Sequence, residues 1–178
     1  MALDTQIRAV RWHGRRRVAI PLAALWLCAA GFAVWLGVTG GPSAVPLGDT
    51  AAIDGGVVRV SGVIPLENDG WVPGDLTTAF TDPVVDGAHR IRVLIDLGST
   101  GDRSVQFSAS DYTIDGLGVD RRSAIWSSTE RRSVGPGEDF EAMMVFEVPD
   151  RAISLALVKT DPSPMRLLLG AGHHSGSR

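Results

Sequence analysis

The nine residues 89–97 read HRIRVLIDL, and their alternation predicts a β-strand with one buried face. The apolar positions are Ile91, Val93, Ile95 and Leu97, and the polar positions that face the other way are Arg90, Arg92 and Asp96. Successive side chains of a strand point to opposite faces of a sheet, so this pattern is typical of a strand with a core on one side and water on the other. We expect His89 to be a solvated residue at the start of this strand.

The same two-residue period recurs along the chain on both sides of this strand. It is present in residues 56–63, 104–109, 140–148, 153–157 and 165–169. The segments between them are rich in Gly, Pro, Asn and Asp, and none has a long 3.6-residue pattern. About six or seven short strands at these spacings predict an all-β antiparallel sandwich over residues 56–170. In the long connection 65–88 we expect a further edge strand or a short helix.

The end of this region resembles a known family of domains. Residues 135–140 read GPGEDF, residues 145–149 read VFEVP, and residues 153–157 read ISLAL. This succession is similar to the C-terminal half of the DUF4352 family, immunoglobulin-like extracellular domains on bacterial lipoproteins and membrane-anchored proteins. The resemblance implies an immunoglobulin-like sandwich outside the membrane, and it implies no activity. The chain departs from the family where the strand at 90–98 ends in Asp-Leu-Gly, because the family has an asparagine there.

An uncharged stretch of 21 residues lies near the N-terminus. Residues 18–38 read VAIPLAALWLCAAGFAVWLGV and directly follow three arginines. At about 1.5 Å of rise per residue, one helix of this length crosses a hydrocarbon core of about 30 Å. The sequence therefore predicts a single transmembrane helix over residues 18–38.

The distribution of charge predicts how this helix is oriented. Residues 1–17 carry five Arg against one acidic residue, so their net charge is positive. Residues 39–178 carry 12 Lys and Arg against 19 Asp and Glu, so their net charge is negative. Positive flanks are retained in the cytoplasm. We therefore expect a basic cytoplasmic tail at 1–17, a plasma-membrane location and an extracytoplasmic C-terminal domain, whose acidity makes nucleic acid an unsuitable partner. The orienting residues are Arg8, Arg11, Arg15, Arg16 and Arg17.

The segments that flank the helix and the domain complete the predicted organisation. Residues 39–55 are rich in Gly, Pro and Ala and predict a linker, and residues 171–178 predict a disordered tail. An alternative is a signal that is cleaved to release a secreted protein, although the best cut, after Ala44, places Pro42 at the −3 position.

Small residues recur every four positions in the helix, which would allow two copies to approach closely in a homo-oligomer. They are Ala29, Ala33 and Gly37.

No pattern in the sequence indicates catalysis, so we expect a protein that is not an enzyme and that needs no cofactor. A Ser-His-Asp site needs a histidine held between a nucleophile and an acid. Outside the termini only His89 is available, and there is no G-x-S-x-G turn. The single cysteine, Cys28, lies within the apolar stretch.

Metal binding is an alternative function that the sequence leaves open. Copper or zinc needs several converging His, Cys or Met ligands. Within the predicted domain and tail, the residues of these types are His89, Met143, Met144, Met165, His173 and His174. A further acidic set, Asp111, Asp115 and Asp120, could attract calcium, but its spacing fits no known calcium loop and predicts a solvated acidic loop instead.

The remaining feature is a predicted basic hairpin with a tryptophan at its centre. Arg121, Arg122, Arg131 and Arg132 flank Trp126. Trp and Arg dominate the energetics of protein interfaces, so these residues could contact a partner; the alternative is a charged hairpin rim with Trp126 against the core. The sequence as a whole favours a membrane-anchored immunoglobulin-like domain that binds or scaffolds an unidentified cell-envelope protein.

Overall fold

The computed structural model describes residues 44–74, 78–116, 121–160 and 164–174. All of them belong to one of the two compact units of the chain, Pro42–Arg178. In this described part, no helix is both long and apolar enough to span a bilayer. The predicted tail 1–17, the predicted transmembrane segment 18–38 and the small-residue stripe within it lie outside the described residues.

The described residues form an all-β domain with two very short helices, α1 (Leu66–Asp69) and α2 (Thr78–Thr81). The strands are β1 (Ala44–Val45), β2 (Thr50–Ile53), β3 (Gly56–Pro65), β4 (Ala88–Ser99), β5 (Val105–Ser108), β6 (Tyr112–Asp115), β7 (Arg122–Ser123), β8 (Trp126–Ser127), β9 (Arg131–Val134), β10 (Asp139–Pro149), β11 (Leu155–Lys159) and β12 (Met165–Gly170).

Two five-stranded sheets pack around one hydrophobic core. The first sheet has the order β1-β12-β11-β6-β7, the second has the order β2-β3-β4-β10-β8, and β5 pairs separately with β9. The pairings are antiparallel except for that of β1 with β12, which is parallel. The predicted antiparallel β-sandwich is confirmed.

The centre of the second sheet is the long pairing of β4 with β10. Its register runs from Gly98 opposite Asp139 to Ala88 opposite Pro149. The inward positions of both strands are fully or almost fully buried, as their alternation predicts. They are Ile91, Val93, Ile95, Leu97, Phe140, Ala142, Met144, Phe146 and Val148.

The outer face of this sheet differs from the prediction. Arg90 and Arg92, which we expected in water, are only 8% and 9% exposed, and Val145 on the same face is fully buried. The connection between β3 and β4 carries α1, α2 and two aromatic side chains that pack over this face. The physical reason is that cover from a segment outside the strand overrides a local pattern that is typical of a solvated face.

Both predicted flanking segments are also more ordered than expected. The predicted linker 39–55 contains β1 and β2 in its described part, because Ala51 contributes to the core and the backbone pairs with β12 and β3. The predicted disordered tail 171–178 begins with a structured turn, and the His173 side chain in it is 1% exposed. In its described residues the connection 65–88 holds two short helices, which confirms the short-helix alternative.

Candidate functional site

Five side chains form a cluster on the outer face of the second sheet, which we call the aromatic–arginine cluster: Trp71, Phe80, Arg90, Arg92 and Trp126. The Trp126 ring meets those of Trp71 and Phe80 edge to face, with centroids 5.4 and 6.2 Å apart. The guanidinium of Arg92 lies 4.5 Å from the Trp71 centroid, and that of Arg90 lies 5.6 Å from the Phe80 centroid. These are the geometries of edge-to-face and cation–π pairs, which fix the orientation of each ring.

The strand register explains why these residues meet. Arg92 on β4 lies opposite Val145 on β10, and Val145 in turn lies opposite Trp126 on β8. Residues directly opposite in a sheet share a face, so Arg92 and Trp126 lie in one row across three strands. The connection between β3 and β4 then brings Trp71 and Phe80 over this row.

Arg90 fastens that connection to the sheet. Its two terminal nitrogens donate to the backbone carbonyls of Phe80 at 3.4 Å and Asp82 at 2.9 Å. Its Nε lies 3.5 Å from Oε2 of Glu147, and the side chains of this pair are 10% and 15% exposed. A cation buried to this degree requires such partners, because removing it from water is otherwise costly.

The connection that supplies Trp71 and Phe80 also carries exposed apolar and acidic side chains. Val72, which follows Trp71 in the chain, is 57% exposed, and Val85 is 66% exposed. Among the described residues of this connection, Glu67, Asp82 and Asp86 are exposed acidic residues. The connection therefore combines half-buried aromatic rings with exposed valines and negative charge.

The structure separates most of the predicted contact residues and corrects the predicted hairpin. Arg122 is on β7, which pairs with β6, whereas Arg131 and Arg132 are on β9, which pairs with β5. Arg132 lies over Phe140, at 4.5 Å from the ring centroid, and Arg121 is an exposed residue before β7. Of the predicted set, only Trp126 is in the cluster. Sequence reasoning missed the other four members because they belong to a predicted solvated strand and to a connection without a periodic signal.

A second group of polar residues lies near the start of β4 and after the end of β12. His89 and His173 are 2% and 1% exposed, and Nε2 of His89 lies 3.5 Å from Nδ1 of His173. Nε2 of His173 lies 2.9 Å from the carbonyl oxygen of Ile153, and Nδ1 of His89 lies 3.4 Å from Oδ1 of Asp150. The expectation of a solvated His89 is wrong, because this position faces inward, like Ile91 two residues later.

Burial lowers the pKa of His173, and the nearby His89 and His174 lower it further. The hydrogen bond to Ile153 and the charge of Asp150 act in the opposite direction. Among the described residues, no three His, Cys, Asp or Glu side chains converge as metal ligands. Met144 and Met165 belong to the core, and Met143 faces the other way from Met144.

Of the predicted acidic loop, Asp115 has its carboxylate and Asp111 its backbone carbonyl hydrogen-bonded to protein groups. The carboxylate of Asp115 accepts hydrogen bonds from Arg166 on β12 and from the Gly116 amide, and both contacts lower its pKa. The backbone carbonyl of Asp111 accepts from Thr160. Asp120 lies outside the described residues.

A shallow groove of about 390 Å³ crosses the opposite end of the second sheet's outer face. Arg59 donates to Asp96 at 2.6 Å, and Ser61 donates to the other oxygen of this carboxylate at 3.0 Å. The side chains of the ion pair are 49% and 31% exposed. Because water competes for such groups, this groove offers little binding energy.

No protein-family profile matches the chain, and no curated protein sequence matches it. Among solved structures, the yjhA protein from Bacillus subtilis is similar with a TM-score of 0.49 and 10% identity, over 70% of this chain and 98% of that chain. An uncharacterised β-sandwich protein from Clostridium difficile 630 has a TM-score of 0.43 and 14% identity, over 74% and 97% of the two chains. A proposed lipoprotein, ycdA from Bacillus subtilis, has a TM-score of 0.49 and 14% identity, over 68% and 38%. All three TM-scores are below 0.5.

Proposed function

We propose that this chain is a non-enzymatic, single-pass membrane protein whose extracytoplasmic domain binds a cell-envelope protein through the aromatic–arginine cluster. The observation that carries the proposal is the packing of two tryptophans, a phenylalanine and two arginines on one outer sheet face, beside the exposed side chain of Val72. Trp and Arg are the residue types most enriched at the energetic centres of interfaces.

The cluster suits binding because its members are already held in place. Binding orders side chains at a cost of about 0.5–1.5 kcal/mol for each rotamer-rich group. Ring contacts restrain Trp71 and Trp126, and three contacts restrain Arg90, so that much of this cost is met in the free protein. A partner therefore gains more from the same contacts than it would from flexible side chains.

The surroundings favour a partner that presents apolar side chains framed by basic ones. Val72 and Val85 offer exposed apolar surface, and the connection that carries them also carries the exposed acidic residues Glu67, Asp82 and Asp86. Complementary charge steers association and excludes like-charged competitors.

Two sequence features and the strand order support the wider proposal. The uncharged stretch 18–38 and its arginine flank support an anchored protein with its domain outside the cytoplasm. The orders β3-β4-β10-β8 and β12-β11-β6 correspond to strands ABED and GFC of an immunoglobulin-like sandwich. This correspondence supports the resemblance to the DUF4352 domains.

The test is in situ photo-crosslinking of the full-length chain in native membranes, followed by identification of the captured proteins. The variant is Val72→Asp, because Val72 is 57% exposed and follows Trp71 of the cluster directly in the chain. We expect at least a tenfold loss of one captured protein with this variant. Trp126→Ala tests the cluster itself and is expected to have the same effect.

The matched control is Leu47→Asp, which places the same charge at an exposed apolar residue between β1 and β2. A protein captured equally by wild type and by both Asp variants would show that binding does not use this face. Loss with both Asp variants would indicate a general effect of charge, and it would equally contradict the proposal.

The anchor has a test of its own. N-terminal sequencing of the mature chain should give a start upstream of residue 18. A start near Val45 would instead support the secreted form, in which the domain and its binding face are released.

A further inference from the structure

We propose that His89 and His173 form a proton-sensitive latch, which closes one end of the sandwich at neutral pH and releases the segment after β12 on acidification. His89 is the second residue of β4, in the second sheet, and His173 lies three residues after the end of β12, in the first sheet. The contact therefore joins the two sheets through the last described residues of the chain. The latch does not depend on the cellular location of the protein or on its membrane anchor.

The hydrogen bonds determine which nitrogen of each ring carries a proton. The Ile153 carbonyl only accepts, so Nε2 of His173 is the donor in the 2.9 Å contact. A neutral His173 then has a lone pair on Nδ1, which accepts from Nε2–H of His89 across 3.5 Å. The latch is closed in this state.

The other nitrogen of His89 faces a carboxylate. Nδ1 of His89 is buried, makes no hydrogen bond and lies 3.4 Å from Oδ1 of Asp150. Asp150 and His173 therefore approach different nitrogens of the His89 ring.

A proton on His173 opens the latch. It turns Nδ1 from an acceptor into a donor that faces the donor of His89. The titratable groups in the described chain that act on His173 are His89 from β4, Asp150 after β10 and the neighbouring His174. Of these three groups, Asp150 alone favours a charge on His173, and its Oδ1 lies 3.4 Å from Nδ1 of His89.

The sign of the pH dependence follows from the lowered pKa of His173. In the open segment its pKa returns to the usual value of 6.5, so the open form binds more protons below that pH. The latch is therefore closed above pH 6.5 and weakens as the pH falls towards the lowered pKa. Because one proton is linked to opening, the opening constant rises by up to about tenfold for each pH unit in this range.

The experiment is hydrogen exchange of the amides of residues 171–174, measured on the full-length chain in detergent micelles between pH 7.5 and 5.0. Rates are corrected for the intrinsic pH dependence of exchange. We expect protection to fall with pH in the wild type and to stay constant in His173→Gln, which keeps a donor and an acceptor but does not titrate. His13→Gln, in the other unit of the chain, is the matched control and should behave as the wild type.

Constant protection of these amides in the wild type would overturn the proposal, and so would an equal fall in His173→Gln. If His173→Gln does not fold, NMR titration of the His173 ring in the wild type replaces it. A midpoint below 6.5 would support the latch, and a midpoint at or above 6.5 would refute it.

Discussion

Tyr112 shows how a single buried polar atom limits stability. Its ring is fully buried between Phe107 and the core, and its hydroxyl has no hydrogen-bond partner in the described structure. The same burial raises the pKa of the phenol. Because a buried donor without a partner costs about 1–3 kcal/mol, we predict that Tyr112→Phe leaves stability unchanged or raises it by about 1 kcal/mol. Urea unfolding of the two proteins measures this difference.

Tyr112→Ala is the control for the aromatic ring itself. It should cost about 3–5 kcal/mol, because it leaves a cavity in the core. A loss of more than about 1 kcal/mol in Tyr112→Phe would mean that the hydroxyl has a stabilising partner, which would contradict the prediction.

The ion pair of Asp115 with Arg166 gives a second prediction for individual residues. The contact lowers the pKa of Asp115 below its usual 3.8, so it stabilises the fold above that pH and is lost as the pH falls through the lowered value. The side chains are about a third exposed, and we expect Asp115→Asn to cost less than about 1 kcal/mol at pH 6. Unfolding measured from pH 6 to pH 2 should show this difference vanish.

A double-mutant cycle separates the pair from other effects of the substitution. In an Arg166→Gln background, Asp115→Asn should have little effect at any pH. An undiminished cost in that background would assign the stabilisation to the hydrogen bond from the Gly116 amide instead.

At the scale of the elements, the end of β6 depends on a glycine. Gly116 has φ of +106°, and a Cβ at this position would collide with the backbone carbonyl of Ser154. Backbone strain and the clash act together, and we predict that Gly116→Ala destabilises by about 2 kcal/mol or more. Gly74→Ala is the control, because its Cβ would meet open space. Thermal unfolding compares them, and equal stability of the two variants would contradict the prediction.

The strands that are predictable from the sequence are those whose pattern matches their surroundings. In β4 and β10, apolar residues recur at every second position and face inward. The existence of these strands and their core residues therefore follow from the two-residue period alone. The two-residue strands β1, β7 and β8 have no pattern of their own and exist because a longer strand lies beside them. Their pairing depends on residues distant in sequence, which no local period encodes.

The candidate sites were the least predictable part of the whole molecule. Residue type singles out Trp126 as a candidate contact residue, but Arg92 and Trp71 join it only after β4, β8 and the connection between β3 and β4 are assembled. The contact of His89 with His173 joins residues 84 positions apart. The local sequence predicts solvent exposure for Arg92 and His89, because the groups that bury them come from other elements.

The place where the domain begins leads to a prediction for the whole molecule. β1 starts at Ala44, so only residues 39–43 separate it from the predicted transmembrane segment 18–38. Five residues span at most about 18 Å, which is far shorter than the predicted linker 39–55 would allow. If the anchor is present, Ala44 must therefore lie close to the bilayer surface. Arg151 is at the other end of the first sheet, because the start of β11 pairs with the end of β12.

Energy transfer to an acceptor-labelled lipid headgroup measures this distance in reconstituted full-length protein. The donor is attached at Ala44→Cys or Arg151→Cys after Cys28, the only cysteine, is replaced by Ser. We expect more efficient transfer from position 44 than from position 151. Inserting about 20 Gly and Ser residues after Gly41 should lower the transfer from position 44, because a flexible chain of that length has a mean span of about 25 Å. Equal transfer from the two positions, or transfer from position 44 that the insertion leaves unchanged, would show that this short segment does not hold the domain at the membrane.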